Sequence, residues 1–145
     1  MKKILFFALA LVAGVVAFTS CDNNKISSPI VGTWGESDGD IDEFYTFNSN
    51  GTLQRIEDYY MYGRETVAHE HIVANGTFQI KGDVVEVTLL SIYVYMDGST
   101  KGEDFGDFWP RQESMKFKVE GETLTLIHNY DTEDAWSETL TKKLK

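Results

Sequence analysis

The chain has one cysteine and two prolines in 145 residues. A single cysteine cannot form a disulfide within the chain, so a packed core must hold the fold together. The part that follows the N-terminal apolar run also lacks a helical apolar period of useful length, whereas glycine-centred turns recur along it. These features predict an all-β domain.

Positive charge is scarce. Lysine and arginine total 13 against 23 aspartates and glutamates, which gives a formal net charge of −10. A surface with this excess of acid repels polyanions, so we expect no nucleic-acid partner.

Catalytic motifs are missing as well. The sequence contains no G-x-S-x-G nucleophile elbow, no glycine-rich phosphate loop and no H-E-x-x-H metal motif. Carboxylates are abundant, but in so acidic a chain their number does not single out a catalytic pair. We therefore expect a protein that is not an enzyme and that needs no cofactor.

The main feature that the chain does contain is a repeated alternation of apolar and polar residues. In Met115–Tyr130, Met115, Phe117 and Val119 alternate with charged residues before a turn at Gly121, and the alternation resumes after it. This pattern is typical of a β-hairpin with one dry face and one wet face. It recurs in Phe47–Leu53 and in Phe78–Val87. Repeated hairpins predict an antiparallel meander that removes its bare edges by closing into a barrel of eight, or nine, strands.

Two irregularities are expected within this meander. Asn75-Gly76 interrupts a long strand, and a glycine inside a strand often marks a bulge. The run Leu89–Tyr95 is apolar on both faces, for which a bulge, a strand buried on both sides and a subunit contact are alternative explanations. We favour the bulge.

The first 21 residues have the composition of an export signal. Lys2 and Lys3 precede the apolar run Ile4–Phe18, which is short for a membrane span. Phe18-Thr19-Ser20-Cys21 resembles the lipobox of bacterial lipoproteins, although Phe18 replaces the usual leucine. The resemblance implies a signal peptide over residues 1–20, an acylated Cys21 with a flexible tether over residues 21–29, and one domain over residues 30–145. The alternative is a simple secreted protein with a free thiol.

Three short motifs follow in order along that domain: Gly32-Thr33-Trp34, Phe47–Thr52 and Gly76–Asp83. Together they resemble the small lipocalin-like domains of bacterial lipoproteins. The resemblance implies a lipocalin-like barrel in which Gly32 and Trp34 mark the closed base. It also implies a location in the bacterial cell envelope, anchored by lipid to the outer membrane, with the periplasmic or surface face left open. The family's arginine on the last strand is absent, and Lys142 and Lys143 stand there instead. The T-D-Y motif between the middle strands is absent too.

Two functions are compatible with this reading. The first is a cup that binds a small apolar or amphipathic molecule, covered by the long loop 97–111. The second is a filled barrel that docks to an envelope protein through aromatic residues of that loop and the tyrosines. The expected cup lining is Phe47, Phe78, Ile80, Val85, Val87, Phe117, Val119, Leu124 and Leu126, and the lid or partner patch is Phe105, Phe108 and Trp109.

Metal binding is not predicted. Asp38, Asp40 and Asp42 have alternate spacing, but an EF-hand loop beginning at Asp38 lacks its required glycine and its final glutamate. His69 and His71 share one face of a strand, and His128 is the only other histidine in the chain. Without a third ligand at a suitable spacing, we expect them to be ordinary strand histidines.

Overall fold

The computed structural model describes residues 25–61, 68–99, 102–104 and 111–143. Within these ranges the chain forms strands and turns, and no helix has the length and apolar character needed to cross a membrane. The strands are β1 (Gly32–Asp38), β2 (Ile41–Phe47), β3 (Thr52–Tyr59), β4 (Glu70–Lys81), β5 (Val84–Met96), β6 (Glu103–Asp104), β7 (Arg111–Glu120), β8 (Thr123–His128) and β9 (Trp136–Lys142).

Eight of these strands close into an antiparallel barrel, which confirms the predicted fold class. Each strand pairs with its neighbour along the chain, except that β5 pairs with β7, and β9 returns to pair with β1. The two-residue strand β6 lies beside β5 as an addition to the barrel wall. Closure leaves no long open edge among the eight strands.

The hairpin β7–β8 shows how alternation builds the core. Phe117 pairs with Leu126 and Val119 with Leu124, so apolar side chains from both strands meet on the inner face. Equivalent residues of the other strands join them in one buried cluster. Its buried members are Ile30, Trp34, Tyr45, Phe47, Leu53, Ala74, Phe78, Val85, Val87, Leu89, Met115, Leu124, Leu126 and Leu140.

A single bulge accounts for both predicted irregularities. Asn75 pairs with Ser91, but Gly76 pairs with Leu89, so Leu90 is the extra residue and its side chain is 57% exposed. A side chain at position 76 would place its Cβ only 2.3 Å from the carbonyl oxygen of Thr88, which explains the glycine. The predicted bulge is confirmed, and it shifts which residues of β5 face inward.

The base of the barrel is closed by the segment that precedes β1. Trp34 is fully buried, and its indole Nε1–H donates a hydrogen bond to the carbonyl of Ile30 at 2.7 Å. The ammonium of Lys142 lies 5.4 Å from the centre of the Trp34 ring. Gly32, with φ of +145°, provides a backbone angle that side-chain-bearing residues rarely adopt at the start of this strand.

Part of the expected tether is attached to this base. The backbone N–H of Ile26 donates to the carbonyl of Ser49, and the Ile26 side chain packs against the core. The chain therefore contacts the barrel already at Ile26, three residues before the expected end of the tether. The expected signal peptide and Cys21 lie outside the described residues, as do Phe105, Phe108 and Trp109.

Replacing Trp34 with phenylalanine should destabilise the barrel much more than the same change at Trp136. Trp34→Phe leaves the Ile30 carbonyl without its donor and opens a cavity, a combined cost of about 2 kcal/mol or more. Trp136 is 50% exposed, so Trp136→Phe should cost less than about 1 kcal/mol. Urea denaturation of the two variants measures the difference, and equal losses would contradict the described base.

Candidate functional site

The two ends of the barrel interior differ in chemistry. The apolar residues expected to line a cup fill the half near the base instead. Phe47, Phe78, Val87, Leu124 and Leu126, together with Val85, are buried in the core, and Ile80, Phe117 and Val119 pack against it. These side chains stabilise the barrel, and the open space lies at the opposite end, which we call the mouth.

Strand alternation brings charged residues into the interior near the mouth. Glu43 and Tyr45 are on the same face of β2 as Phe47, and Arg55 and Glu57 are on the same face of β3 as Leu53. The register places Glu43 directly opposite Glu57. The same rule carries Glu36 inward with Trp34 on β1, Glu138 inward with Leu140 on β9, and His128 inward with Leu126 on β8.

Arg55 holds two of these carboxylates. Its Nε and Nη2 lie 2.8 and 2.7 Å from Oε1 of Glu43, and its Nε lies 2.8 Å from Oε1 of Glu57. The guanidinium carbon also lies 5.2 Å from the centre of the Tyr45 ring. Ion pairs of this kind, bonded to more than one carboxylate and shielded from water, are stronger than exposed pairs.

Glu138 is held by a histidine. Its carboxylate Oε1 lies 2.8 Å from Nε2 of His128, and the residue is only 8% exposed. The His128 ring is stacked on Trp136, with ring centres 3.9 Å apart and planes within 3°. Hydrogen bonding and stacking together fix the orientation of both the imidazole and the carboxylate.

Glu36, Glu43 and Glu138 converge, and each pair of their facing oxygens lies within 4.8 Å. Burial raises the pKa of Glu36 above its usual value, and the charges of Glu138 and Asp38 raise it further. Burial also raises the pKa of Glu43; Arg55 opposes this rise and Glu138 adds to it. Among the described contacts of these three glutamates, Arg55 supplies the one permanent positive charge, so negative charge is in excess in this part of the interior.

Beside this cluster a cavity of about 610 Å³ opens at the mouth. Arg111 and Glu113 contribute an ion pair to it, with Nε and Oε1 2.9 Å apart. Most of its walls are polar, and Met115 and Trp136 supply the larger apolar surfaces. The lining residues are Arg55, Arg111, Gln112, Glu113, Ser114, Met115, His128, Asn129, Tyr130, Asp131 and Trp136.

The histidine pair and its surroundings lie on the outer side of the barrel wall. Nδ1 of His69 contacts Asp97 at 2.7 Å, whereas Nδ1 of His71 contacts Asp58 at 2.6 Å. Because each histidine has its own carboxylate partner, the structure does not bring the two imidazoles together on one ligand. A depression of about 560 Å³ beside His71 lies on this outer surface and is separate from the mouth.

Sequence reasoning missed the polar half of the interior. The signal was present, because Glu43 and Tyr45 continue the alternation that places Phe47 inward. Charged residues in an acidic chain usually lie on the wet face, so residue type predicts the opposite face for Glu43. Once the strand bounds are known, the same alternation places the glutamates near the mouth and Arg55 on the inner face.

Removing the negative charge of Glu36 should stabilise the protein at neutral pH when EDTA keeps divalent cations away from the carboxylates. A carboxyl group whose pKa is raised in the folded state makes stability fall as pH rises from 4.5 toward the raised value. Glu36→Gln removes that loss and one like-charge contact. Because water screens this partly exposed carboxylate, we expect a gain of at most about 0.5 kcal/mol, which is a rise in Tm of about 2 °C in EDTA. The gain should shrink as pH falls toward 4.5. Thermal unfolding across this pH range tests it.

The matched control is Glu122→Gln in the exposed β7–β8 turn, which removes the same charge from the surface. It should change Tm little at any pH. An equal rise in both variants would mean that net charge, and not the interior of the barrel, is responsible.

No family model, curated protein or solved structure matches this chain. The resemblance to lipocalin-like lipoproteins therefore remains a prediction from sequence motifs, and the geometry of the mouth is the basis on which function must be inferred.

Proposed function

We propose that this chain is a non-catalytic binding protein of the bacterial cell envelope, anchored by lipid at Cys21, whose barrel takes a small amphipathic molecule at its mouth. The observation that carries the proposal is the cavity of about 610 Å³, which is of the size usual for small-molecule sites. Its position at the open end of a barrel with a packed base resembles the way small barrels hold one ligand.

The lining favours a molecule with one polar part and one flat or apolar part. Arg111, Glu113 and Gln112 offer donors and acceptors on β7, and the stacked pair His128 and Trp136 lines the same cavity from β8 and β9. An aromatic face suits a planar or apolar group, and the ion pair suits a polar group that displaces or bridges it. A purely apolar ligand would leave these polar groups without partners, which is costly.

The base and the mouth suggest an orientation for the anchored protein. Ile26 is attached to the base, five residues after Cys21 in the sequence. A lipid at Cys21 would therefore hold the base toward the membrane, because a stretch this short reaches at most about 18 Å. The mouth would face the aqueous compartment, and the ligand would enter from there.

Docking to an envelope protein is the second candidate function. Ile41, Met61 and Met96 are exposed, and each lies at the mouth end of its strand or in the residues that follow it. Exposed apolar residues grouped at one end of a protein are a common feature of interaction sites. In this case Ile41, Met61 and Met96 would form a protein-binding rim, and the polar cavity beneath this rim would hold no ligand.

Native mass spectrometry of the protein purified from its own host tests the proposal. We expect a retained molecule of a few hundred daltons, typical of ligands for a cavity of this size. Arg111→Gln should reduce its retention or affinity about tenfold or more, as loss of a charge-assisted hydrogen bond does.

Lys118→Gln is the matched control. Lys118 lies on the same strand, is similarly exposed and pairs with Glu120 two residues on, as Arg111 pairs with Glu113. Its loss should leave retention unchanged. If no small molecule is retained and a metabolite screen finds none, while an envelope protein is captured through the rim, the docking function replaces the one proposed.

A further inference from the structure

Glu138 joins Glu36 and Glu43 only because the barrel closes. Glu36 is on β1, Glu43 on β2 and Glu138 on β9, and β1 pairs with both of the other strands. Their facing oxygens lie within 4.8 Å of one another. Glu138 is buried and the other two are partly buried, so water screens these charges less than it would at an open surface.

The strand register makes this arrangement unfavourable by itself. Glu36 lies directly opposite Glu43, and Glu43 lies directly opposite Glu57. Like charges at directly opposed positions of neighbouring strands destabilise a sheet. Arg55 compensates Glu43 and Glu57, but no described contact places a basic side chain on Glu36.

Tyr45 supplies an independent observation. It is 2% exposed, and its hydroxyl oxygen is buried without a partner that meets hydrogen-bond geometry in the described part of the chain. Tyr45 follows Glu43 on the inner face of β2. Burial raises the pKa of this hydroxyl, Arg55 opposes the rise, and Glu138, Glu43 and a contact with the Glu43 carboxylate that falls short of hydrogen-bond geometry add to it. A buried hydroxyl without a partner is costly unless something at the site binds its oxygen.

We propose that Glu36, Glu43 and Glu138 bind one Ca²⁺ ion inside the barrel, with the Tyr45 hydroxyl as a neutral oxygen ligand. Carboxylate and hydroxyl oxygens are ligands for hard divalent cations. Two oxygens bound to Ca²⁺ can be separated by up to about 5 Å, against about 4 Å around Mg²⁺. Three oxygens within 4.8 Å of one another have a common centre no more than about 2.8 Å from each, so side-chain shifts of a few tenths of an ångström bring all three to Ca²⁺ distance.

Neighbouring residues orient two of these ligands. Arg55 contacts Oε1 of Glu43, which leaves the second oxygen of that carboxylate for the ion. His128 contacts Oε1 of Glu138 in the same way. Metal-binding carboxylates are usually held by such partners. Glu57, which also contacts Arg55, keeps the local charge negative despite the guanidinium.

This inference goes beyond the proposed function. The ion site involves the carboxylates behind the cavity and does not require that a small molecule bind in front of them. Loss of Ca²⁺ binding with ligand retention intact, or the reverse, would therefore show which of the two proposals is wrong.

The test is calorimetric and thermal titration of the metal-stripped protein with CaCl₂, with MgCl₂ in parallel. We expect one Ca²⁺ per chain, weaker binding of Mg²⁺ and a Tm that rises with Ca²⁺ concentration. Glu36→Gln should lower Ca²⁺ affinity at least about tenfold, a loss that even outer partners of a metal site can cause. If CaCl₂ produces no heat of binding and no change in Tm, the proposal is wrong.

Two further variants separate ion binding from general charge effects. Tyr45→Phe should raise Tm in EDTA, because it removes the buried hydroxyl, yet weaken Ca²⁺ binding severalfold. Glu122→Gln should leave Ca²⁺ binding as in the wild type. A crystal grown with MnCl₂ should show anomalous density among the three carboxylates. Density elsewhere, or a Ca²⁺ response that Glu36→Gln leaves intact, would contradict the assignment.

Discussion

Pairing of β1 with β9 is the contact on which the rest of the structure depends. Only two residue pairs register between these strands, Trp34 with Lys142 and Gly35 with Thr141. Their contact removes the two edges that a meander would otherwise leave open. It also determines what the interior contains, because it carries Trp34 into the base and brings Glu36 close to a glutamate about a hundred residues away along the chain.

Closure divides the interior into two regions with opposite roles. The half near the base is filled by apolar side chains, which supply the burial that stabilises a domain without disulfides. The half near the mouth contains convergent carboxylates beside the guanidinium of Arg55 and the imidazole of His128, an arrangement that opposes folding when their negative charge is not neutralised. Unfavourable groups of this kind persist where the remainder of the structure is stable enough to hold them, and they are common at binding sites. The stability of the base thus permits the chemistry of the mouth.

The fold could be predicted from sequence because its determinants are local. Alternation around Gly121 identifies a hairpin, and the doubly apolar run near Leu90 identifies the bulge; the structure contains both. The site could not be predicted in the same way. Glu138 and Glu36 are adjacent only after closure, and no local pattern encodes that distance. Chemical type was also misleading, because charge inside a barrel mouth can be hydrated and paired, so charged residues there need not face outward. The position of Ile26 at the base is likewise a tertiary effect that a polar stretch does not reveal.

A double-mutant cycle between Glu36 and Glu138 tests this account most directly. The cycle compares urea denaturation in EDTA of the wild type, Glu36→Gln, Glu138→Gln and the double variant at neutral pH. If closure places both carboxylates inside the barrel, their repulsion is lost in either single variant. The two single effects should then sum to more stabilisation than the double variant shows, with a coupling of about 0.5–1 kcal/mol. Additive effects would mean that the two glutamates do not face each other, and the described interior of the mouth would be wrong.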